Sequence, residues 1–413
     1  MTCFRVLWLC TSAAQNSRVH NGCGWIASLA DVLKRREDLQ LGLCFEGCGA
    51  WGECTDNLTF YPMDVFFQRK NKLKRRFSVE SEEKLLLPRM LRAIDDFKPD
   101  VIHIWGTECT YGIVCRHTKI PCILHLQGLL TPYNNATYPP GFSQGQFISD
   151  LLLHPVRLYN FLYFARVLKK RAEREIRILK ECRNFLVRTE WDNAVVKLYH
   201  PEARCFYNSE MLRAPFMKHS GEWKPKQRSV KIISSVLSMP LYKGHDLILK
   251  TAKLLSERVP GKFVWNVYGV YSMRVWEKLL KICPEKVHVS LKGTVSAGEL
   301  KDALLDTDVY VHPSYIDNSP NSLCEAQLLG VPAIATYVGG VPSLIENGKS
   351  GMLVPANDPW MLAGKIVALF ESPETASELG KNAAHAAKLR HNPEQIVTDL
   401  LYAYRAITKS EDA

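Results

Sequence analysis

Two carboxylates, Asp317 and Glu325, stand eight residues apart on either side of a predicted helix start. The stretch follows an apolar strand, and we predict Ser319 as the N-cap and Pro320 as the first helical residue, where its missing N–H is not needed. Three residues would then present backbone N–H groups to an anion: Asn321, Ser322 and Leu323. Such a helix start favours phosphate, and carboxylates accept hydrogen bonds from vicinal hydroxyls. A sugar nucleotide suits this pattern, and a capped surface helix with two solvated acids fits it equally well.

A lysine is predicted at the same edge of the sheet. Lys243 follows the first strand of the carboxyl-terminal half, within the sequence Tyr-Lys-Gly-His-Asp at 242–246. The carboxyl ends of parallel strands meet at one edge, where ligands bind in open α/β sheets. We therefore expect its ammonium group to neutralise a diphosphate at the helix start, although a Lys-Gly pair alone is common.

Polar groups also follow the strands of the amino-terminal half. Glu108 comes just after a strand that ends at Gly106, and Gln127 follows a second strand of similar form. Both side chains are expected near a ligand crevice at the sheet edge. His125, two residues before Gln127, is better interpreted as a hydrogen-bonded core histidine than as a catalytic group.

Gly22 and Gly24 match the dinucleotide fingerprint Gly-x-Gly-x-x-Ala, which should begin directly after a strand. Here about ten residues separate the glycines from the preceding strand. We therefore disfavour dinucleotide binding and predict a glycine loop that lets the phosphate of another ligand approach the backbone.

The elements that must position these residues alternate between strand and helix in both halves of the chain. At 413 residues the chain is too long for one core, and the polar segment 221–228 is typical of a linker. We predict two doubly wound parallel-sheet α/β domains that face each other across a cleft. The first covers 1–220 and is completed by a helix at about 391–413; the second covers 221–390.

The composition is that of a globular chain with an excess of positive charge. Lys and Arg number 53 against 42 Asp and Glu, a net charge of +11. This excess favours anionic partners, but no nucleic-acid-binding motif is present, so no nucleic acid is expected. The thirteen cysteines are scattered as in a reduced cytoplasmic protein, and Cys44, Cys48 and Cys54 fit no zinc template.

Two segments raise the question of contact with a membrane. The run 69–76 holds six basic residues, and 151–183 passes from an apolar helix into a strongly basic one. Both patterns suit an anionic lipid surface. For the first run the alternative is a solvated loop or helix face, and for the second it is a helix that packs on the sheet and exposes its charges. The start, 1–10, is more typical of a buried strand than of a signal peptide, and no run of 18 apolar residues exists. We expect a cytoplasmic protein that can bind the inner face of the cell membrane.

Several segments resemble the retaining glycosyltransferases of family 4, which have the two-domain GT-B fold and belong to glycosyl transferases group 1. The shorter ones are Pro-Asp-Val-Ile-His-Ile at 99–104, Tyr-Lys-Gly at 242–244, Val-His-Pro-Ser at 311–314 and Asn-Ser-Leu-Cys-Glu-Ala at 321–326. Two longer segments, 330–343 and 346–355, complete the resemblance. The segments at 127–128 and 188–192 further resemble bacterial members that build surface polysaccharides.

The resemblance implies roles for residues of the second domain. Glu325 would hold the ribose hydroxyls, Asp317 the hydroxyls of the donor sugar, and Lys243 the diphosphate. Asp317 is one methylene shorter than the family's glutamate, and Ser238 stands where the family has a second phosphate-binding arginine. The missing charge would fall to Lys243, the helix start and a cation such as Arg188.

The resemblance also assigns residues of the first domain. Gly22 and Gly24 match the loop that approaches the donor phosphate. Gln127 stands where a histidine is often found near the reacting sugar, so it can position a substrate but cannot act as a base. Glu108, Gln127 and Arg188 are therefore the residues expected on the acceptor side.

The implied reaction moves a sugar from a UDP- or GDP-sugar to a hydroxyl of a glycan, such as a polyprenyl-linked one, with retention of anomeric configuration. No metal or other cofactor is expected, because lysine and helix dipole would balance the diphosphate charge. Two alternatives stay open. One is a GT-B sugar-nucleotide epimerase or hydrolase, and the other is a non-catalytic sugar-nucleotide-binding protein.

Overall fold

The computed structural model describes residues 3–12, 24–67, 80–152 and 154–409. By its internal contacts the chain divides into two compact units. The first unit holds Met1–Asn134, Phe164–Met211 and Asn392–Ala413, and the second holds Asn135–Tyr163 and Leu212–His391. The carboxyl-terminal helix therefore groups with the amino-terminal residues. The segment 135–163, which the sequence analysis assigned to the first domain, packs in the second unit instead.

Ring contacts explain the position of this segment. Phe142 and Phe147 lie edge-on against Trp276, at 5.1 and 5.4 Å between ring centroids. Phe161 stacks on Phe147, with 6.1 Å between the ring centroids. Phe147 is buried and Phe142 and Phe161 are half-buried in these contacts, which linear order along the chain does not indicate.

The described residues contain fourteen α-helices. They also contain 3₁₀ helices, of which the two longest lie at 64–67 and 110–116. In chain order the α-helices are α1 (Gly24–Leu33), α2 (Glu80–Phe97), α3 (Leu130–Asn135), α4 (Gln144–Leu151), α5 (Pro155–Glu181), α6 (Glu190–Tyr199), α7 (Ala214–Lys218), α8 (His245–Arg258), α9 (Arg274–Leu280), α10 (Ala297–Leu305), α11 (Asn321–Leu329), α12 (Pro359–Glu371), α13 (Pro373–Arg390) and α14 (Pro393–Thr408).

An eight-stranded sheet forms the centre of the first unit. Its strands are β1 (Phe4–Cys10), β2 (Leu39–Phe45), β3 (Glu53–Thr55), β4 (Leu58–Pro62), β5 (Val101–Trp105), β6 (Cys122–His125), β7 (Asn184–Val187) and β8 (Arg204–Tyr207). The order is β3-β4-β2-β1-β5-β6-β7-β8, and only β3 runs antiparallel to its neighbour. Central strands such as β5 are buried at every residue, which explains their continuous apolar sequence.

A six-stranded parallel sheet forms the centre of the second unit. Its strands are β9 (Lys231–Val236), β10 (Phe263–Tyr268), β11 (Val289–Gly293), β12 (Val309–His312), β13 (Ala333–Thr336) and β14 (Met352–Val354). The order is β11-β10-β9-β12-β13-β14. Because β9 and β12 are neighbours, the loops that follow them leave the same edge of the sheet side by side.

The predicted fold class is confirmed, since both units are α/β with parallel sheets. The sequence pattern predicts strands at Leu39–Phe45 and Ala333–Thr336 and a helix at Ala297–Leu305, and these bounds agree with β2, β13 and α10. The β3–β4 hairpin and helices α2 and α13 were not predicted. In α2 the buried residues Leu86, Met90, Ala93, Ile94 and Phe97 recur at helical spacing, so the sequence analysis missed a signal that is present despite the internal proline, Pro88. α13 is rich in alanine, so its apolar pattern is weaker.

The basic half of α5 is occupied by ion pairs with α2. Lys170 pairs with Glu80 at 2.7 Å, and Arg177 with Glu83 at 2.9 Å. Glu82, only 3% exposed, accepts from both Arg171 and Arg174, at 2.7 and 2.9 Å. This part of the helix therefore packs against a neighbouring helix, and several of its charges are used in ion pairs. The expectation of a helix that packs on the sheet and exposes its charges is wrong in this respect, because Arg174 and its partner Glu82 are both buried.

The basic run 69–76 lies outside the described residues. Within the described part of the chain, no helix is long and apolar enough to cross a membrane.

Candidate functional site

Lys243 ends a short 3₁₀ turn, Leu241–Lys243, that follows β9. Gly244 comes next with φ of 81°, and a Cβ atom there would lie 2.1 Å from the carbonyl oxygen of Pro313. Only glycine permits this close approach. The amide of Tyr315 also donates to the carbonyl of Tyr242, at 2.7 Å. The loop after β9 is thereby held against the loop after β12.

Asp317 is the centre of a polar network in the second of these loops. Its Oδ2 atom lies 2.6 Å from Lys243 Nζ, 3.1 Å from His312 Nε2 and 3.3 Å from the hydroxyl of Ser314. Asp317 is 6% exposed. Burial opposes ionisation, but the charge of Lys243 and the hydrogen bond with His312 outweigh it, so the pKa of Asp317 lies well below its ordinary value. The side chain is a fixed anion throughout the neutral range.

Helix α11 begins one residue later than predicted. Pro320 is the N-cap, in extended conformation with ψ of 113°, and Asn321 is the first helical residue. The carbonyl of Pro320 accepts from the amides of Leu323 and Cys324, which makes it the first acceptor of the helix. The predicted capping role of Ser319 is therefore wrong, and the cap has no side-chain hydrogen bond.

Two backbone N–H groups remain at the start of α11. Since Leu323 donates to Pro320, helix geometry leaves the amides of Asn321 and Ser322 without an intrahelical acceptor. The side-chain Oδ1 of Asn321 is buried and has no hydrogen-bond partner among the described residues. Ser322 accepts from the hydroxyl of Tyr310 on β12, at 2.9 Å, and Leu323 is fully buried in the core. The helix start thus keeps donors and one acceptor available for a ligand.

Glu325 makes an ion pair that the sequence analysis missed. Arg213, at the N-cap of α7, donates from Nε to Oε1 at 2.6 Å and from its terminal nitrogen to Oε2 at 2.7 Å. The guanidinium also lies over the ring of Phe216, at 4.8 Å from the centroid. The Arg213 side chain is 23% exposed and that of Glu325 is 2% exposed. A fork-to-fork pair of this kind is the strongest geometry for an arginine and a carboxylate.

Ser238 is exposed in the loop after β9. It occupies the position where the resemblance expects an arginine, and Arg213 brings a guanidinium to the same unit from a different element. No spacing rule connects Arg213 with Glu325, because they are 112 residues apart and meet only through the fold. The one sequence signal is that Arg213 immediately precedes an Ala-Pro helix start.

In the first unit, Glu108 lies beyond β5 with its carboxyl group folded back over Gly106. A Cβ on Gly106, whose φ is 77°, would lie 2.0 Å from Oε2 of Glu108 and 3.5 Å from the side-chain carbon of Gln127. Burial raises the pKa of the Glu108 carboxyl to about 7, and the neighbouring Glu175 adds to the effect while Arg188 opposes it. An acid with a pKa near neutrality can hold or release a proton under working conditions.

Gln127 and Arg188 lie in the same region of the first unit. A terminal nitrogen of Arg188 donates to the carbonyl of Gln127, and the other lies 3.6 Å from Oε2 of Glu210. The guanidinium also packs 5.2 Å from the ring centroid of Trp25. At 4% exposure, Arg188 holds the loops after β6 and β7 together from inside. Glu108, Gln127 and Arg188 are therefore brought together, with Arg188 as a buried support.

Glu175 of α5 is a second residue that the sequence analysis missed. This fully buried carboxylate accepts from the amides of Leu130 and Thr131, at 2.8 and 2.7 Å, and from the hydroxyl of Thr107. It therefore ties the loop after β5 to the start of α3. The sequence shows a glutamate within a basic helix, but its burial and its role are visible only in the structure.

His125 is fully buried, as predicted, but neither of its ring nitrogens has a hydrogen-bond partner among the described residues, so the expectation of a hydrogen-bonded histidine is wrong. It stacks with Trp105 at 4.8 Å, and Trp105 stacks in turn with His103 at 4.1 Å. Burial holds the pKa of both histidines well below the ordinary value. They are neutral members of an aromatic core.

Of the two predicted loop glycines, Gly24 is the first residue of α1, and Gly22 lies outside the described residues. Of the three cysteines tested for a zinc template, Cys44 is buried on β2 while Cys48 and Cys54 are exposed.

One protein family resembles most of the second unit. Residues 221–386 match the model of the family described as glycosyl transferases group 1. The matched segment covers less than half of the chain. It contains Lys243, Asp317 and Glu325, whereas Arg213 lies just before it.

Curated relatives match a part of the chain. Over 149 residues the chain is 31% identical to the putative colanic acid biosynthesis glycosyltransferase WcaL of Escherichia coli (strain K12), covering 34% of this chain and 36% of that protein. The chain spans about a third of the length of the curated relatives it matches.

Solved structures match over the whole chain. The fold is similar to that of sucrose-phosphate synthase from Thermosynechococcus elongatus, with a TM-score of 0.74, 14% identity, and coverage of 98% of this chain and 100% of that one. It is also similar to HepE from Anabaena in complex with UDP-glucose, with a TM-score of 0.61, 14% identity and 99% coverage of both chains. At such low identity these likenesses establish the fold. The predicted GT-B fold is confirmed.

Proposed function

We propose that this protein is a retaining, metal-independent glycosyltransferase that moves a sugar from a UDP- or GDP-sugar to a hydroxyl of a lipid-linked glycan during synthesis of a surface polysaccharide. The observation that carries the proposal is the pair of Lys243 and Asp317, 2.6 Å apart beside the start of α11. The similarity to WcaL, named for colanic acid biosynthesis, supports the product class. The similarity to HepE, solved with UDP-glucose, supports the donor class.

In the proposed reaction, the bond between the anomeric carbon and the diphosphate oxygen breaks. The acceptor hydroxyl forms the new glycosidic bond on the same face, and its proton passes to the departing diphosphate. Lys243 stabilises the negative charge that develops on this leaving group. Its ammonium group has three N–H donors, so it can contact the diphosphate while it keeps its hydrogen bond to Asp317. Asp317, held ionised, accepts from hydroxyls of the donor sugar.

Glu325 accepts from the ribose hydroxyls in this proposal, with Arg213 as its partner. Each carboxylate oxygen has two lone pairs, so the bidentate pair leaves acceptor capacity for the ribose. The guanidinium also balances the charge of Glu325, which would otherwise repel a diphosphate nearby. Arg213 thereby supplies the domain with a second cation, which the uncharged Ser238 does not provide.

Glu108 binds the acceptor hydroxyl in this proposal, with Gln127 beside it. Burial raises the pKa of Glu108 to about 7, which destabilises the folded protein at neutral pH. Groups with such costly environments are concentrated at functional sites. We therefore assign Glu108 a functional role: when ionised, its carboxylate accepts a hydrogen bond from the attacking hydroxyl and orients it.

The test is product analysis with purified full-length protein, a lipid-linked acceptor and a panel of UDP-, GDP- and ADP-sugars. We expect one donor to be consumed with formation of a glycosylated lipid, and NMR of the new linkage to report retention. Chelator should leave the rate unchanged. Donor consumption without acceptor glycosylation would instead indicate a hydrolase or epimerase, and donor binding without turnover a non-catalytic binding protein.

We also propose that this cytoplasmic enzyme works at an anionic membrane surface, to which α5 contributes. Four apolar side chains are strongly exposed within eleven residues of the second unit: Leu152, Val156, Tyr159 and Leu162. Exposed Arg157 lies among them, which suits an anionic interface. Flotation with phosphatidylglycerol-containing vesicles tests this. Val156→Glu should weaken binding severalfold, whereas Leu198→Glu, an equally exposed change on α6, should not; equal effects would remove α5 from the contact.

A further inference from the structure

The turn at 110–116 and the end of α5 approach each other closely inside the first unit. Arg116 pairs with Glu181 at 3.1 Å, and the thiol of Cys182 lies 3.9 Å from the carbonyl of Gly112. Between these two contacts, the sulfur atoms of Cys115 and Cys182 are 2.7 Å apart. That separation lies between an ordinary nonbonded contact and the covalent S–S distance of about 2.05 Å. The two segments therefore already hold these thiols where a bond between them needs little backbone movement.

We propose that Cys115 and Cys182 form a reversible disulfide on exposure to a hydroperoxide, and that this bond fixes the 110–116 turn to the end of α5. One thiol attacks the peroxide, the O–O bond breaks and water leaves, which gives a sulfenic acid. The second thiol then attacks that sulfur and releases a second water. Two thiol hydrogens and two electrons pass to the peroxide, so two thiols and H₂O₂ give one disulfide and two waters.

The surroundings of the pair determine how readily it reacts. A hydrogen bond with Cys122 favours the thiolate of Cys115, but the contact with Cys182 and burial outweigh it, so the pKa of Cys115 is raised. Cys182 is only 1% exposed. Because the thiolate is the reactive form, oxidation should be slow at neutral pH and faster at pH 9.

The position of the bond connects it with the candidate acceptor-side loops. Cys182 directly follows α5, and the same helix carries Glu175, which holds Thr107, Leu130 and Thr131. A cross-link between residues 115 and 182 would also close a long loop in the unfolded chain, which favours the folded state. Oxidation is therefore expected to stabilise the unit that carries these loops.

Peptide mapping of the full-length protein tests the pairing. Folded protein is treated with hydrogen peroxide, its remaining thiols are alkylated in denaturant, and it is digested with trypsin. The tryptic peptide 93–116 contains both Cys109 and Cys115, so the experiment uses a Cys109→Ser background. We expect this peptide to be joined to 181–183, and the link to disappear with dithiothreitol.

Thermal unfolding provides the second readout. Oxidation should raise Tm by several degrees in the wild type and in Cys205→Ser, a control at another half-buried cysteine of the first unit. The shift in Tm should vanish in Cys182→Ser. If that variant does not fold, Cys115→Ala provides the same test. The proposal is overturned if exposed Cys48 is oxidised while 115 and 182 remain free thiols. A link from Cys115 to Cys122 would overturn it equally.

Discussion

Asp317 and Glu325 are both buried and both ion-paired within the second unit, but their partners differ in kind. Three groups converge on one oxygen of Asp317, namely Lys243, His312 and Ser314. Glu325 instead receives a planar guanidinium that satisfies both of its oxygens at once. Lysine is a point charge with rotatable donors, whereas the arginine fork is rigid and matches a carboxylate bidentately. The first arrangement can exchange partners when a diphosphate binds, and the second fixes the orientation of a carboxylate.

This comparison predicts that loss of Lys243 has the largest effect on activity. Lys243→Ala should lower kcat by about 10²–10³, or roughly 3–4 kcal/mol, because a preorganised group at the leaving diphosphate is lost. Steady-state kinetics with the true donor and acceptor measures this. Lys253→Ala, an exposed lysine on α8, is the matched control. Near wild-type turnover in Lys243→Ala would refute the role assigned to the lysine.

Loss of Arg213 should affect stability and donor binding together. Arg213→Met leaves the buried Glu325 without its cation and should lower the free energy of unfolding by about 3 kcal/mol. Denaturant unfolding measures this, with Arg258→Met as a control at an exposed arginine of α8. The double variant Arg213→Met/Glu325→Met should regain much of the stability yet show no donor-induced thermal shift. A normal donor shift in the double variant would contradict the role of Glu325.

A third carboxylate, Glu108 of the first unit, sharpens the contrast because its pKa is shifted in the opposite direction. The pKa of Glu108 is raised from 4.5 to about 7 in the folded protein. The contribution of this group to the free energy of unfolding is therefore fully present below pH 4.5 and is lost as the pH rises through 7. Between pH 5 and 8, the free energy of unfolding of the wild type should fall by on the order of 2–3 kcal/mol relative to that of Glu108→Gln. Asp317, with its pKa lowered, keeps its contribution across this range.

The measurements for Glu108 are unfolding at several pH values and a pH–rate profile. Glu108→Gln should also remove the rise in kcat/KM centred near pH 7. Exposed Glu202→Gln is the control for a general charge effect. Parallel stability curves for wild type and Glu108→Gln would show that this carboxyl does not titrate as expected.

The smallest expected effect is a gain of function at Ser238. Placing the missing cation there in Ser238→Arg should improve donor affinity about twofold, or roughly 0.5 kcal/mol, because the site is exposed and screened. Donor titration by thermal shift at low and high salt measures it. Ser238→Gln is the uncharged control. A gain that salt does not reduce would not come from the charge.

Local sequence predicted the parts of the site that depend on neighbouring residues. Lys243 could be placed because Gly244 marks a turn after β9, and Asp317 because it precedes a helix start. The cap of α11 was misplaced by one residue, since a serine side chain was assumed to bond where the carbonyl of Pro320 accepts the first amides. The basic half of α5 could not be distinguished from a lipid-binding face, because its partners lie about ninety residues away on α2.

The sequence by itself determined the two parallel-sheet units, the loops that follow β9 and β12, and the pair of carboxylates on either side of a helix start. These features follow from periodicity and from glycine and proline placement, which act over a few residues. Only the tertiary structure decided which cations those carboxylates meet. Lys243 reaches Asp317 because β9 and β12 are adjacent strands, and Arg213 reaches Glu325 across 112 residues of chain. Burial then sets their charges, since desolvation and ion pairing exist only after the chain has folded.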